Sequence, residues 1–155
     1  MKAVVLALAC VYVAGCQSAP APPYKPIADV KLLMQAVDPQ ADIVWESVKT
    51  VITKDGTEEV SPKTAAEWIA VRNAAVLLAE SGNLLMMPPR AQAGAEWMQS
   101  ARALVDASEA AMRAADARDR NRLFEVGGDI NDACMSCHIH YDPNVKASRA
   151  ATSQK

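Results

Sequence analysis

The stretch RNRLFEVGGDINDACMSCHIHY, residues 120–141, carries a clear helical pattern and the most distinctive motif in the chain. Its apolar and thiol side chains recur at spacings of three and four, which places them on one face of a helix. The residues on that face are Leu123, Val126, Ile130, Cys134 and Cys137. We therefore predict a helix over this range that buries this face and holds two thiols one turn apart.

Gly127 and Gly128 lie inside this helix, where each costs about 1 kcal/mol relative to alanine. Because they lack side chains, another group can approach this part of the helix closely. The alternative is a break in the helix, with Asp129 capping its final part.

Residues 29–49 form a second helical segment. Their apolar side chains alternate at spacings of four and three, which is typical of a helix packed against near-parallel neighbours. Pro39 interrupts the segment, because proline removes one backbone donor and strains the preceding turn. Either the helix kinks at Pro39, or Asp38 and Pro39 cap a second short helix. The predicted buried residues are Val30, Met34, Val37, Ala41, Val44 and Val48.

Two more helices are expected between these segments. One begins with Ser61 as N-cap and Pro62 at the first helical position, and it ends before Pro88. The other covers residues 94–116. We expect their buried faces to contain Trp68, Val71, Ala75 and Leu78 in the first, and Met98, Ala101, Val105, Ser108 and Met112 in the second.

The chain as a whole is predicted to be all-α, an antiparallel four-helix bundle. Residues 48–53 are rich in β-branched side chains, but no stretch alternates convincingly with period two. The polar tail, residues 144–155, is expected to fray. The chain has 155 residues, which is enough for one domain with a hydrophobic core, here placed at residues 27–143.

Charge and cysteine usage exclude several classes of function. The net charge is −2 and no block of Lys or Arg occurs, so nucleic acid is not an expected partner. Cys10 and Cys16 lie at one end of the chain, and Cys134 and Cys137 at the other. This distribution fits neither a disulfide framework nor a zinc finger with two separated pairs of ligands.

The N-terminal region is typical of an export signal. Lys2 precedes a short uncharged run, residues 3–14, that is too short for a good transmembrane helix. The run ends in Val13-Ala14-Gly15-Cys16, which resembles the lipobox of bacterial lipoproteins. The resemblance implies that residues 1–15 are removed and that Cys16 becomes acylated; ordinary cleavage nearby and release of a soluble protein is the alternative.

A proline-rich tether, residues 16–26, follows the signal peptide. A polyproline-like spacer rises about 3.1 Å per residue, so this one would reach roughly 30 Å. It would hold the domain close to the periplasmic side of a bacterial membrane. A disordered N-terminus would have the same kind of sequence.

Cys134-Met135-Ser136-Cys137-His138 is a C-x-x-C-H motif, the signature of covalent c-type haem attachment. Positions i and i+3 of a helix share a face, so both thiols can bond one edge of a porphyrin. His138 follows at i+4 from Cys134 and can turn towards the iron. The motif therefore predicts one covalent haem c with His138 as the proximal iron ligand.

Two other interpretations of the motif compete with haem attachment. Zinc has four potential ligands here if His140 joins the three motif residues, but structural zinc sites take ligand pairs from separated segments. A redox C-x-x-C pair normally begins a helix in a βαβ context, which this sequence lacks. Both interpretations fit the sequence less well than haem does.

The motif on the last helix, followed three residues later by the aromatic Tyr141, resembles class II cytochromes c, the cytochrome c prime superfamily. The resemblance spans residues 27–143 and implies a four-helix bundle with covalent haem on its C-terminal helix. It also implies redox protein partners, and homodimers occur among such proteins. Asp142 departs from the family pattern, because family members commonly have a basic residue at this position, with which the haem propionates can pair.

Lys31-Leu32-Leu33-Met34 resembles the stretch that supplies the distal ligand in low-spin members of that family. The resemblance implies that Met34 binds the iron and that the protein transfers single electrons rather than acting as an enzyme. A methionine on an apolar face more often only packs, and Met98 and Met112 are weaker candidates. The alternative function is a five-coordinate cytochrome that binds NO or CO. His140 lies too close to His138 to serve the distal side.

Overall fold

The computed structural model describes residues 24–152 and shows a mostly helical chain with one small two-stranded sheet. The elements in chain order are α1 (Val30–Ser47), β1 (Lys49–Thr53), β2 (Gly56–Val60), α2 (Ala65–Met86), α3 (Ala95–Asp116), α4 (Arg120–Tyr141) and α5 (Pro143–Thr152). No helix in this range is long and apolar enough to cross a membrane. The predicted signal peptide and Cys16 lie outside the described residues, and so does most of the tether.

Hydrogen bonds between the long helices show that neighbouring helices run antiparallel. The Trp97 indole at the start of α3 donates to the Leu85 carbonyl at the end of α2, with 2.8 Å between nitrogen and oxygen. Ser136 near the end of α4 donates to Ser100 near the start of α3 at 3.0 Å. The arrangement is compatible with the predicted helical bundle.

The helices are unequally packed. Extensive contacts join α2 to α3 and α3 to α4, α1 packs mainly on α2, and α1 touches α4 only sparsely. The Trp45 indole near the end of α1 donates to the carbonyl of Gly127 in the first half of α4 at 2.9 Å. One edge of the helical assembly, between α1 and α4, is therefore held by few contacts.

Most of the predicted buried faces are confirmed. The expected residues of α2 are all buried, and the three aliphatic residues expected in α4 are buried beside half-buried thiols. In α3 the buried face is rotated relative to the prediction, because Met98, Val105 and Met112 are only partly buried. The residues that pack there instead include Trp97, Ser100, Leu104, Ala107, Ala111, Ala114 and Ala115.

Neither proposed break in a helix occurs. Helix α1 continues through Pro39, whose side chain is exposed, and α4 continues through Gly127 and Gly128. A proline can remain inside a helix when its ring faces solvent and the surrounding turns are held by a buried face. The interpretation of a close approach is supported at Gly127, where Trp45 lies 3.4 Å from the position of an added Cβ, but not at Gly128, where nothing lies within 4 Å.

The predicted start of α2 at Ser61 is wrong. The N-cap is Thr64, and its hydroxyl accepts a hydrogen bond from the Glu67 backbone N–H at 3.2 Å. The Glu67 carboxylate in turn accepts from the backbone N–H groups of Lys63 and Thr64, at 2.6 and 2.9 Å. This capping box satisfies several backbone donors at once, whereas Ser-Pro satisfies fewer. The same bonds hold the pKa of Glu67 below its ordinary value.

The antiparallel hairpin of β1 and β2 was not predicted. It pairs Lys49 with Val60 and closes at Thr53 and Gly56, so residues 54 and 55 form the turn. Gly56 has φ +140°, a backbone conformation that other residues rarely adopt. Most side chains of both strands are exposed, so the hairpin extends from the helices rather than contributing a core layer.

The expected frayed tail is also corrected. Residues 143–152 form α5, which begins with Pro143 at its first position. The Asp142 carboxylate accepts a hydrogen bond from the Asn144 backbone N–H at 2.7 Å, as an N-terminal cap does. This cap is a structural reason for an aspartate at position 142, where members of the resembled family commonly have a basic residue.

Candidate haem site

The motif residues lie in the last two turns of α4. Cys134 and Cys137 are free thiols, both half-buried and packed against the core. They continue the buried face of Leu123, Val126 and Ile130, because all five residues follow the same helical spacing. His138 is partly buried and lies next to this face. The structure thus places both thiols on the same side of one helix, as the spacing predicts.

Burial raises the pKa of both thiols above the ordinary value for cysteine. For Cys134 the negative charge of Asp38 on α1 raises it further. Both side chains are therefore neutral thiols near pH 7. The reactive cysteine of a redox C-x-x-C pair instead has a lowered pKa, because positive charge or a helix N-terminus stabilises its thiolate. The environment of this pair differs from such a site.

The register between α1 and α4 places Met34 at the level of His138. The hydrogen bond from Trp45 to the Gly127 carbonyl fixes one point of that register. Met34 lies eleven residues before Trp45, and His138 lies eleven residues after Gly127. Antiparallel helices rise about 1.5 Å per residue, so both residues lie roughly 16 Å from that point in the same direction.

Two further observations support this register. The negative charge of Asp38 raises the pKa of Cys134, so the two side chains lie near each other. In the register described above, Asp38 and Cys134 lie at the same level, one turn closer to Trp45 than Met34 and His138 do. Met34 is half-buried and packs against the core rather than projecting into solvent. The sequence-predicted site residues on α1 and α4 are therefore brought to one end of the helical assembly.

The tryptophans act as packing anchors. Trp68 and Trp97 are buried, and Trp45 is partly buried. Trp97 also packs edge-to-face against Tyr141, with ring centroids 4.9 Å apart. Edge-to-face aromatic pairs contribute about 0.5–1.5 kcal/mol beyond their buried area. This contact ties the start of α3 to the turn that follows His138.

His140 does not join the thiols. Its Nδ1 lies 2.8 Å from the carbonyl oxygen of Ser136, and its ring lies along an open groove of about 680 Å³ between α3 and α4. That groove is lined on α4 by Ala133 and Ser136, a different face from the one that carries the thiols. Within residues 24–152, no group of three or more His, Cys, Asp or Glu side chains could hold a metal ion.

Arg90 is a residue of this region that sequence reasoning did not single out. It follows Pro88-Pro89 in the connection between α2 and α3, and only 6% of its surface is exposed. Its Nε donates to the Leu84 carbonyl at 2.8 Å, and its Nη1 donates to the Ala28 carbonyl at 3.1 Å. No periodic pattern covers this loop, so burial of the guanidinium could not be read from the sequence.

The donor set fits a covalently attached haem. Two free thiols one turn apart can form two thioether bonds, the adjacent His138 offers an imidazole, and Met34 offers a thioether sulfur. Comparison with protein-family models, curated proteins and solved structures gave no match for this chain. The resemblance to class II cytochromes c therefore rests on the motif and helical pattern described above.

Proposed function

We propose that this protein is an exported monohaem c-type cytochrome that transfers single electrons, with haem attached through Cys134 and Cys137. The observation that carries the proposal is the pair of free, half-buried thiols one turn apart on α4, directly followed by His138. Such thiols can bond one edge of a porphyrin while the imidazole at i+4 binds its iron.

The two cysteines act as the covalent anchors. Each thiol would add across one vinyl group of the porphyrin, its sulfur bonding one carbon and its hydrogen going to the other. No oxidant or reductant is consumed by this addition. Because both cysteines lie on one helix, two thioether bonds would hold the haem against α4.

In this proposal His138 from α4 and Met34 from α1 would hold the iron of the haem. The bound haem supplies an iron that accepts one electron as Fe(III) becomes Fe(II). A neutral, soft thioether such as that of Met34 favours Fe(II), so the reduction potential should be comparatively high. The level placement of the two residues supports a ligand pair across the seam between α1 and α4.

Mass spectrometry of the exported protein tests the attachment. We expect one added porphyrin mass in the denatured wild type, because thioether bonds survive denaturation. The double variant Cys134→Ala/Cys137→Ala should carry none, because it has no thiols at these positions. Met135→Ala is a matched control, since Met135 lies within the motif and is exposed but carries no thiol. A wild-type protein without added porphyrin mass would refute the proposal.

Optical spectra decide between electron transfer and the alternative function, binding of NO or CO by five-coordinate haem. Low-spin ferric haem with a sulfur–iron charge-transfer band is expected for the Met34/His138 pair. A high-spin ferric spectrum, with fast CO uptake by the ferrous protein and no displaced ligand, would instead select the gas-binding function.

The same proposal includes a location. Acylation of Cys16 would anchor the protein to a membrane, and residues 17–26 would hold the domain on its periplasmic side. Redox proteins of that membrane are the proposed partners, and a homodimer is compatible with the resembled family. We propose no enzymatic role, since oxygen-activating haem sites need distal acid–base groups and His140 lies near the proximal ligand.

A further inference from the structure

Arg90 is the one charged side chain that is buried among residues 24–152. The other buried polar residues of this range are three serines, which need no counter-charge. Charged side chains are almost never fully buried unless they are paired, because an ion loses its favourable hydration when it leaves water. The position of Arg90 therefore calls for an explanation.

The hydrogen bonds of Arg90 satisfy only part of its guanidinium. The Leu84 and Ala28 carbonyls accept from Nε and Nη1, whereas Nη2 makes no hydrogen bond within the described residues. No ion pair involves Arg90 in this range. The remaining residues, 1–23 and 153–155, contain no Asp or Glu. The chain thus supplies no side-chain carboxylate to balance this charge.

Arg90 lies at the end of the helical assembly that holds the thiols and His138. It bonds the last turn of α2 through Leu84, and the neighbouring Leu85 carbonyl accepts from Trp97. Trp97 in turn packs on Tyr141, three residues after His138. On the other side, Ala28 leads directly into the first turns of α1, which carry Met34.

We propose that Arg90 binds a carboxylate of the attached haem, an inference that rests on the proposed function. Haem carries two carboxylates on the rim away from the thioether-bonded carbons, and both are anionic at neutral pH. An arginine fork pairs with a carboxylate through charge-assisted hydrogen bonds. Asp142 cannot take this role, because it is anionic and its oxygen caps α5.

A purely structural role is the competing explanation. A guanidinium near the end of a helix can bind the last carbonyls and interact favourably with the helix dipole. That role would affect folding stability with or without haem, but it would not change the environment of the haem carboxylates. The test must therefore observe those carboxylates directly.

Resonance Raman spectroscopy of holoprotein provides that observation, because the propionate bending mode responds to hydrogen bonding at the haem carboxylates. Arg90→Gln keeps an amide donor for the Leu84 carbonyl but removes the charge, and we expect it to shift this mode and lower the reduction potential. Arg120→Gln is the matched control, since Arg120 also donates to two carbonyls but near the sheet at the other end of α4. An unchanged mode in folded Arg90→Gln holoprotein would overturn the proposal.

A second measurement on wild-type protein covers the case in which Arg90→Gln does not fold. Proton NMR of the ferrous holoprotein should show nuclear Overhauser effects between the Arg90 side chain and the propionate methylene protons. Their absence would overturn the role of Arg90 while leaving haem attachment intact. Absence of porphyrin mass from the wild type would instead refute the proposed function itself, so the two failures are distinguishable.

Discussion

Gly82 lies where α2 approaches α3 most tightly among the described glycines. A Cβ added there would lie 2.6 Å from Val105 Cγ2 and 2.8 Å from the Ala101 carbonyl oxygen. The second of these atoms belongs to the backbone and cannot move without shifting α3. Gly128, inside α4, is the opposite case, because an added Cβ would meet nothing within 4 Å.

These two glycines give opposite predictions for the same substitution. Gly82→Ala should lower the free energy of unfolding by about 1–3 kcal/mol, since overpacking outweighs the better helix propensity of alanine. Gly128→Ala should raise it by roughly 0.5–1 kcal/mol, because only the propensity changes. Urea denaturation of the purified variants measures both. A stabilised Gly82→Ala protein would contradict the close packing of α2 on α3.

In the proposed haem site, Met34 is the residue whose role most affects the chemistry. Met34→Ala should abolish the sulfur–iron charge-transfer band of the ferric protein and yield a high-spin spectrum, because the iron loses its sixth ligand. Met98→Ala is the matched control, since Met98 is also partly buried against the core but lies on α3. Met98→Ala should keep the wild-type spectrum. The same band in Met34→Ala and the wild type would exclude ligation by Met34.

Single residues differ in how far the sequence predicts them. Cys134, Cys137 and His138 form a motif with fixed spacing, so their placement on one helix end follows from the sequence. Arg90 carries no such pattern, because it is one residue in a loop and its burial depends on carbonyls from α2 and from the segment before α1. Burial of a single polar residue in a loop depends on which segments the fold brings around it, so no local sequence pattern predicts it.

At the scale of elements, the sequence predicts long helices better than short structures. The prediction for α4 matches its bounds, and α3 begins one residue later than expected. The hairpin was missed because neither of its faces is buried, so no period-two pattern exists to detect. Asp55-Gly56 beside β-branched residues was the available signal, since this dipeptide is typical of hairpin turns.

The start of α2 shows how two local signals compete. Thr64→Ala should lower the free energy of unfolding by about 0.5–2 kcal/mol, because the Glu67 backbone N–H loses its capping acceptor. Ser61→Ala should have a much smaller effect, since Ser61 lies outside the helix and its hydroxyl makes no hydrogen bond within the described residues. Urea denaturation of the two variants compares them directly. A larger loss of stability in Ser61→Ala than in Thr64→Ala would indicate that Ser61, and not Thr64, caps α2.

At the scale of the whole molecule, the proposed haem would complement the weakest part of the fold. Helix α1 packs mainly on α2 and touches α4 only sparsely. The thiols and His138 belong to α4, whereas Met34 belongs to α1. A cofactor bound by all four residues would join these two helices where side-chain packing joins them least.

The proposed membrane location depends on Cys16, which lies outside the described residues. If Cys16 is acylated, Cys16→Ser should move the protein from the membrane fraction to the soluble periplasmic fraction, because no other lipid anchor is proposed. Cys10→Ser is the matched control: Cys10 lies within the proposed signal peptide, so this variant should remain with the membrane. Fractionation followed by detection of the haem absorbance measures both variants. Wild-type protein in the soluble fraction, or Cys16→Ser protein that stays with the membrane, would exclude anchoring through Cys16. Either result would leave the proposed haem site unaffected, since its residues lie beyond the proposed proline-rich tether.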